Sequence, residues 1–134
     1  MSIVVDTYAW IEVFLGSQKG AIVKEALEEA ADVYTPDVVL AEIARKYLRE
    51  GIEETLVGER LRVVSSASVV TPIDSEVALS AGRVYSELVE KARKEKLRDP
   101  SLFDAIVLAT ARSYQARLVT GDEHFRNLPE AIWI

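Results

Sequence analysis

Apolar positions along the chain switch between the spacing of a strand and the spacing of a helix. The run Ile3, Val4, Val5 is short, fully apolar and ends at Asp6, which predicts a buried strand. Apolar residues at helical spacing then predict a helix as far as Phe14, a break over 16–20 and a second helix over 21–31. The next apolar run predicts a strand over 33–35.

Pro36 is the expected start of the third helix, because proline favours the first helical position, with Thr35 as the N-cap. This helix is predicted to reach about Arg49, and a further helix is predicted over 52–64. A strand over 68–73 and a long amphipathic helix from about Ser75 follow.

The last third of the chain contains its most apolar helix, over 102–114, which is apolar almost all round and therefore predicted to be central and buried. Strands are expected over 117–120 and 131–134. Strands that alternate with helices predict an α/β fold of three α/β/α layers around a mostly parallel sheet of about five strands. No linker or repeat divides the sequence, so one domain over 1–134 is expected.

The composition excludes several classes of site and location. The 134 residues include no cysteine, which excludes disulfides and thiolate metal sites. No apolar run reaches the roughly 18 residues of a membrane span, and the N-terminus lacks the basic region of a signal peptide. We therefore expect a cytoplasmic protein. The net charge of -6 argues against a nucleic-acid binder, unless acids are gathered around divalent cations.

Four acidic residues stand at the ends of predicted strands or early in helices: Asp6, Glu42, Asp104 and Asp122. Each has an ordinary structural explanation. Asp6 could cap the following helix, and Glu42 could pair with Lys46 at i+4 or with Arg45 at i+3. Asp104 matches a capping box, and Asp122 follows a glycine in a turn.

The joint placement of the four acids favours a shared site over four separate structural roles. Ligands of α/β folds bind at the carboxyl ends of the strands, and all four side chains can reach that crevice. Oxygen-only ligands suit Mg²⁺ or Mn²⁺. Such a cation activates water and neutralises the charge that develops on a phosphodiester. Without a cation, clustered carboxylates would only repel each other.

The segments that carry these acids resemble the PIN domain family over the whole chain. They are IVVDTYAWIEVF, TPDVVLAEIARKY, DPSLFDAIVLATARSYQARLVTGDEHF and the closing apolar strand. The resemblance implies a PIN-like α/β/α fold and a supporting role for the hydroxyls of Thr7 and Thr120. It also implies that the catalytic and metal-binding residues are Asp6, Glu42, Asp104 and Asp122.

Stand-alone PIN domains of this length are most similar to VapC-type toxins of toxin–antitoxin pairs. This resemblance implies an endoribonuclease that depends on Mg²⁺ or Mn²⁺, hydrolyses RNA phosphodiester bonds and forms a homodimer. It also implies a small antitoxin protein as a partner. A PIN-type RNA-processing nuclease without an antitoxin is the alternative.

A basic run precedes Asp104, and its function is open between two interpretations. It could be the solvated end of a helix, where cations favour the helix dipole, or a strip that contacts RNA phosphates. The candidates for RNA contact are Lys94, Lys96 and Arg98. The only histidine, His124, is expected in a loop without a fixed role, and Phe125 is expected to fill the core.

Two other classes of α/β protein also collect acids at strand ends. A haloacid-dehalogenase-like phosphatase requires a second aspartate two residues after the first, where this chain has Tyr8. A response-regulator receiver requires paired acids after the first strand and a late strand-end lysine, and neither is present. A PIN-fold module that only binds partners is disfavoured because all four acids are retained.

Overall fold

The computed structural model describes residues 1–134, in which five strands and six α-helices alternate along the chain. Their order is β1 (Ser2–Val5), α1 (Thr7–Leu15), α2 (Gln18–Glu29), β2 (Asp32–Pro36), α3 (Asp37–Arg49), α4 (Glu54–Ala67), β3 (Val69–Thr71), α5 (Ser75–Lys94), α6 (Leu102–Ser113), β4 (Arg117–Thr120) and β5 (Ala131–Trp133). A 3₁₀ turn (Glu123–Phe125) follows β4. None of the helices combines the length and the apolar character that crossing a membrane requires.

The five strands form one sheet in the order β3-β2-β1-β4-β5, and every neighbouring pair is parallel. This confirms the expected three-layer α/β fold, with a sheet that is entirely parallel. The chain runs outwards from β1 to β3 and then returns to β4 on the other side of β1. The strand order thus reverses between β1 and β4, which is the position where open α/β sheets form their ligand crevice.

The centre of the core is formed by β1 and α6, as the apolar pattern predicted. Ile3, Val4 and Val5 have no exposed surface. Every residue of α6 from Ala105 to Ala111 is buried. Such a helix can carry a charged side chain only near its ends, where a counter-charge or water can reach it.

The start of α3 differs from the expectation. β2 extends to Pro36, which occupies the N-cap position, and no side chain caps the helix. Thr35 is instead fully buried, accepts a hydrogen bond from Trp10 Nε1 at 3.1 Å and lies 2.7 Å from the Ser68 hydroxyl. The predicted Thr35 cap was wrong because the buried indole N–H requires an acceptor.

The start of α2 is the second difference. The helix begins at Gln18, with Ser17 as its N-cap, so Gly20 lies within the first turn rather than in a break. A Cβ atom at Gly20 would collide with the backbone carbonyl of Glu12 in α1. This glycine therefore permits the close approach of two helices and does not interrupt either one.

Candidate active site at the carboxyl ends of β1 and β4

Asp6 follows β1 and is almost completely buried, with 4% of its surface exposed. One carboxylate oxygen accepts a hydrogen bond from the Ala9 backbone N–H at 2.8 Å and so caps α1. The other oxygen accepts a hydrogen bond from the Thr120 hydroxyl. Burial raises the pKa of Asp6 to about 7 against the effect of these hydrogen bonds, and the nearby Asp122 and Glu42 add to the rise.

The Thr120 hydroxyl at the end of β4 connects two of the candidate acids. It donates to Asp6, and it accepts a hydrogen bond from the Asp122 backbone N–H at 3.0 Å. Asp122 in turn caps the 3₁₀ turn by accepting from the His124 backbone N–H at 2.9 Å. Phe125 anchors this turn with 1% of its surface exposed, which confirms its predicted core position.

Glu42 reaches the same place from α3. Its carboxylate accepts a hydrogen bond from the Thr7 hydroxyl at 2.9 Å. Burial is the main cause that raises the pKa of Glu42, the Thr7 hydrogen bond opposes it, and the negative charge of Asp104 adds to it. Glu42 forms neither of the ion pairs that its sequence position allowed. Lys46 pairs with Glu50 at 3.2 Å, and Arg45 acts on Glu42 only through its charge, which opposes the rise in the pKa of Glu42.

Asp104 has the capping role that the sequence suggested and also faces the other acids. Its carboxylate accepts a hydrogen bond from the Ser101 backbone N–H at 2.9 Å, which completes a capping box at the start of α6. Burial nevertheless raises the pKa of Asp104, and the negative charge of Asp122 contributes to the rise. The same side chain therefore caps α6 and lies among the other candidate acids.

The charge of Asp122 contributes to the raised pKa of Asp6, Glu42 and Asp104, so these carboxylates lie close to one another. A crevice of about 390 Å³ is lined by Glu42, Asp104 and Asp122, and its lining also includes Arg45 and Arg98. Buried carboxylates of raised pKa are costly to ionise without a counter-charge. This oxygen donor set fits a hard divalent cation.

His124 was expected in a loop without a fixed role, but its imidazole has defined contacts beside the candidate acids. The side chain is only 10% exposed, Nδ1 lies 3.0 Å from an Asp122 carboxylate oxygen, and Nε2 lies 2.9 Å from the Arg98 carbonyl oxygen. Burial would lower the pKa of His124, but the hydrogen bonds to Arg98 and Asp122 outweigh it and raise the pKa. His124 thus holds the chain at Arg98 against Asp122. The sequence could have indicated this contact, because His124 follows Asp122 by only two residues in a predicted turn.

The basic run divides into two parts. Lys94 is still on α5 and pairs with Glu90 at 3.3 Å. Lys96 adopts a left-handed backbone conformation with φ of 58°, which ends the helix and turns the chain towards the acids. Lys96 and Arg98 then line a crevice that also contains Asp122, whereas Lys94 does not.

Tyr8 lies beside the candidate site, and the sequence reasoning did not identify it as a candidate. It lies in the first turn of α1, two residues after Asp6, and its ring packs so closely on Gly121 that a Cβ atom there would collide with it. The ring lines the crevice of Lys96 and Arg98. The sequence feature that could have identified Tyr8 is an aromatic residue only two positions after Asp6, which stands at a strand end.

Several solved structures resemble this fold over most of the chain. VapBC2 from Rickettsia felis, bound to a DNA fragment from its promoter, superposes with a TM-score of 0.73 at 15% identity and covers 100% of this chain and 98% of that one. A toxin–antitoxin complex from Klebsiella pneumoniae gives 0.66 at 23% identity, covering 97% and 95%. The sarcin-ricin loop cleaving toxin VapC20 of Mycobacterium tuberculosis gives 0.60 at 19% identity, covering 86% and 85%.

Sequence comparison adds the family. No curated protein matches the chain. The family model for the PIN domain matches residues 3–131, a range that contains all four acids and nearly the whole fold. The chain therefore belongs to the PIN domain family.

Proposed function

We propose that this PIN domain is an endoribonuclease that depends on Mg²⁺ or Mn²⁺ and hydrolyses RNA phosphodiester bonds. The observation that carries the proposal is a cluster of carboxylates at the reversal point of the sheet, where Glu42, Asp104 and Asp122 line one crevice. The buried Asp6 lies close enough to this crevice for the charges of Asp122 and Glu42 to act on it. VapC20, whose fold is similar, is a toxin that cleaves the sarcin-ricin loop. The family membership and the acid cluster support the same class of reaction.

The residues that would hold the cation are Asp6, Glu42, Asp104 and Asp122. When bound, a divalent cation supplies an activated water and neutralises charge on the phosphodiester. The Thr120 hydroxyl orients Asp6, and the Thr7 hydroxyl orients Glu42, so neither carboxylate has to reorganise when substrate binds. Arg98 and Lys96 contribute positive charge for the RNA backbone beside the acids.

The direct test is cleavage of a labelled single-stranded RNA by the purified chain. We expect internal cuts with Mg²⁺ or Mn²⁺ and none with EDTA, because the proposed site contains no group that replaces the cation as a Lewis acid. Restoring activity with excess Mn²⁺ after chelation controls for irreversible damage. Cleavage that persists after complete chelation would contradict the proposed chemistry.

We also propose that the protein is a toxin with a small antitoxin partner, since similar folds occur in toxin–antitoxin complexes. A homodimer stays a prediction from the family resemblance.

The alternative to a toxin is an RNA-processing nuclease, which would use the same acids without an inhibitor. The two are separated by co-expressing the chain with the product of any short neighbouring gene and measuring both complex formation and residual cleavage.

Phosphate contact by Lys96 and Arg98 predicts a change in the salt dependence of RNA binding. Replacing both with alanine should weaken binding and make the slope of log affinity against log salt less negative by roughly 1.4, from about 0.7 for each lost contact to a single strand. Binding is measured by fluorescence anisotropy over a salt series.

The matched control for this pair is Arg83→Ala, which removes an exposed cation of α5 that lines neither crevice. It should leave the slope unchanged. A separate Lys94→Ala variant tests the remaining candidate, whose partner Glu90 already offsets its charge. An unaltered slope in the double variant would return Lys96 and Arg98 to an ordinary solvated role.

A further inference from the structure

A second crevice, of about 680 Å³, lies directly beside the carboxylates. Its lining includes Tyr8, Lys96 and Gly121. Arg98, Asp122 and His124 line both this crevice and the one lined by Glu42 and Asp104, so the two crevices are adjacent. A strand with its phosphate at the acids can therefore place the neighbouring nucleotide in the space beside Tyr8.

The Tyr8 side chain is held in a fixed orientation at this position. Its ring lies against the Gly121 backbone, where no larger residue would fit, and its hydroxyl accepts a hydrogen bond from Lys19 Nζ at 2.9 Å. An aromatic ring that is already immobilised loses little conformational entropy when a ligand stacks on it. The orientation is therefore suited to a flat apolar ligand.

The positive charges near the Tyr8 ring are suited to the phosphate groups of a nucleotide. Lys96 and Arg98 line the same crevice, and the left-handed conformation of Lys96 brings this segment towards the acids. An aromatic ring next to cations is the combination that binds single-stranded nucleic acid, with the base on the ring and the phosphates on the cations. Glu123 and Asp122 also line the crevice, which favours the backbone phosphates on its Lys96 and Arg98 side.

We infer that this crevice binds the nucleobase adjacent to the scissile phosphate of a single-stranded RNA and that Tyr8 is the residue on which the base stacks. The inference rests on the proposed ribonuclease function, and it adds a base subsite to the acid cluster. Tyr8 thus contributes to substrate affinity through the base and leaves the chemistry at the phosphate to the acids.

The test compares two oligomers of about ten nucleotides, a length within the range of single-strand binding sites. One is oligoadenylate, and the other has the same ribose-phosphate backbone without bases. Affinities are measured in an Asp104→Asn background, where the RNA stays intact. Tyr8→Leu should lower the affinity for oligoadenylate about tenfold, the size of one lost stacking contact, and leave the abasic oligomer unaffected.

Two further variants make the comparison specific to the ring. Tyr8→Phe keeps the aromatic face and loses only the bond with Lys19, so it should retain most of the base-dependent affinity. Tyr85→Leu is the matched control, because Tyr85 lines a crevice with Arg93 and Lys94 that contains none of the four acids. It should change neither affinity. Equal losses for both oligomers, or no loss for oligoadenylate, would overturn the inference.

A measurement on the unmutated chain covers the case in which Tyr8→Leu does not fold. Photocrosslinking of a 4-thiouridine oligomer should label Tyr8, and labels confined to other surfaces would overturn the inference. The outcomes also separate the two proposals. A chain that cuts RNA with Mn²⁺ but shows no base-dependent affinity refutes only the subsite, whereas a chain that never cuts refutes the ribonuclease.

Discussion

Replacing Asp6 with asparagine is expected to lower the rate of RNA cleavage by at least about a hundredfold while the fold is retained. A lost carboxylate ligand removes several kcal/mol of transition-state stabilisation, and each 1.4 kcal/mol corresponds to about tenfold in rate. The fold should survive because asparagine is as good an N-cap as aspartate. The rate is measured with Mn²⁺ at saturating RNA, and the fold by thermal unfolding.

The chain contains a closely matched control for this variant. Asp74 caps α5 as Asp6 caps α1: each accepts from the backbone N–H three residues later at 2.8 Å, with nearly the same backbone angles. Asp74→Asn therefore repeats the capping change away from the candidate site, and its cleavage rate should equal that of the wild type. Equal activity in both variants would show that Asp6 is only a helix cap.

The second prediction concerns pH and the stability of the metal-free protein. The pKa of Asp6 is about 7 in the folded state, well above its ordinary value of 3.8, mainly because the carboxyl group is buried. A folded state that holds the proton more tightly is stabilised by it. This contribution is fully present below about pH 4, is lost as the pH rises to about 7 and is absent above it. At about 1.4 kcal/mol for each pKa unit, the loss reaches up to about 4 kcal/mol.

The measurement is urea unfolding in EDTA at a series of pH values, for the wild type and for Asp6→Asn. The difference in unfolding free energy between the two proteins isolates Asp6 from the other titrating groups. The wild type should lose stability relative to the variant between about pH 4 and 7, and the difference should be constant at higher pH. A difference that does not change with pH would mean that Asp6 titrates normally in the folded protein.

Most of the secondary structure could be predicted because burial leaves a periodic trace in the sequence. The strand β4 was predicted at its observed bounds and α6 within one residue, since a buried strand and a fully buried helix leave little choice of residue type. The errors occurred where one element contacts another. From its neighbours in sequence Thr35 resembles a helix cap, but its hydroxyl bonds to Trp10 in α1. Gly20 likewise resembles a helix break, but it is required by the close approach of Glu12 in α1.

The candidate site divides in the same way. Asp6, Glu42, Asp104 and Asp122 could be chosen from the sequence because parallel strands bring their carboxyl ends to one edge, and the resemblance to PIN domains selected the same four residues. The sequence also indicated their capping roles. It could not indicate how strongly burial acts on each carboxyl group, because this depends on the atoms that surround Asp6 from β4 and α1.

The sequence by itself determined the α/β class and the buried elements, and it selected four candidate acids, since these depend on residue type and on spacing along the chain. Only the tertiary structure decided that His124 holds Arg98 to Asp122, that Lys96 and Arg98 line the crevice while Lys94 pairs with Glu90, and that Tyr8 lies on Gly121. These contacts join residues that are far apart along the chain or that are brought together by one left-handed residue and one tight turn. Hydrophobic periodicity records which side of an element is buried, and it carries no information about which polar side chains meet at its end.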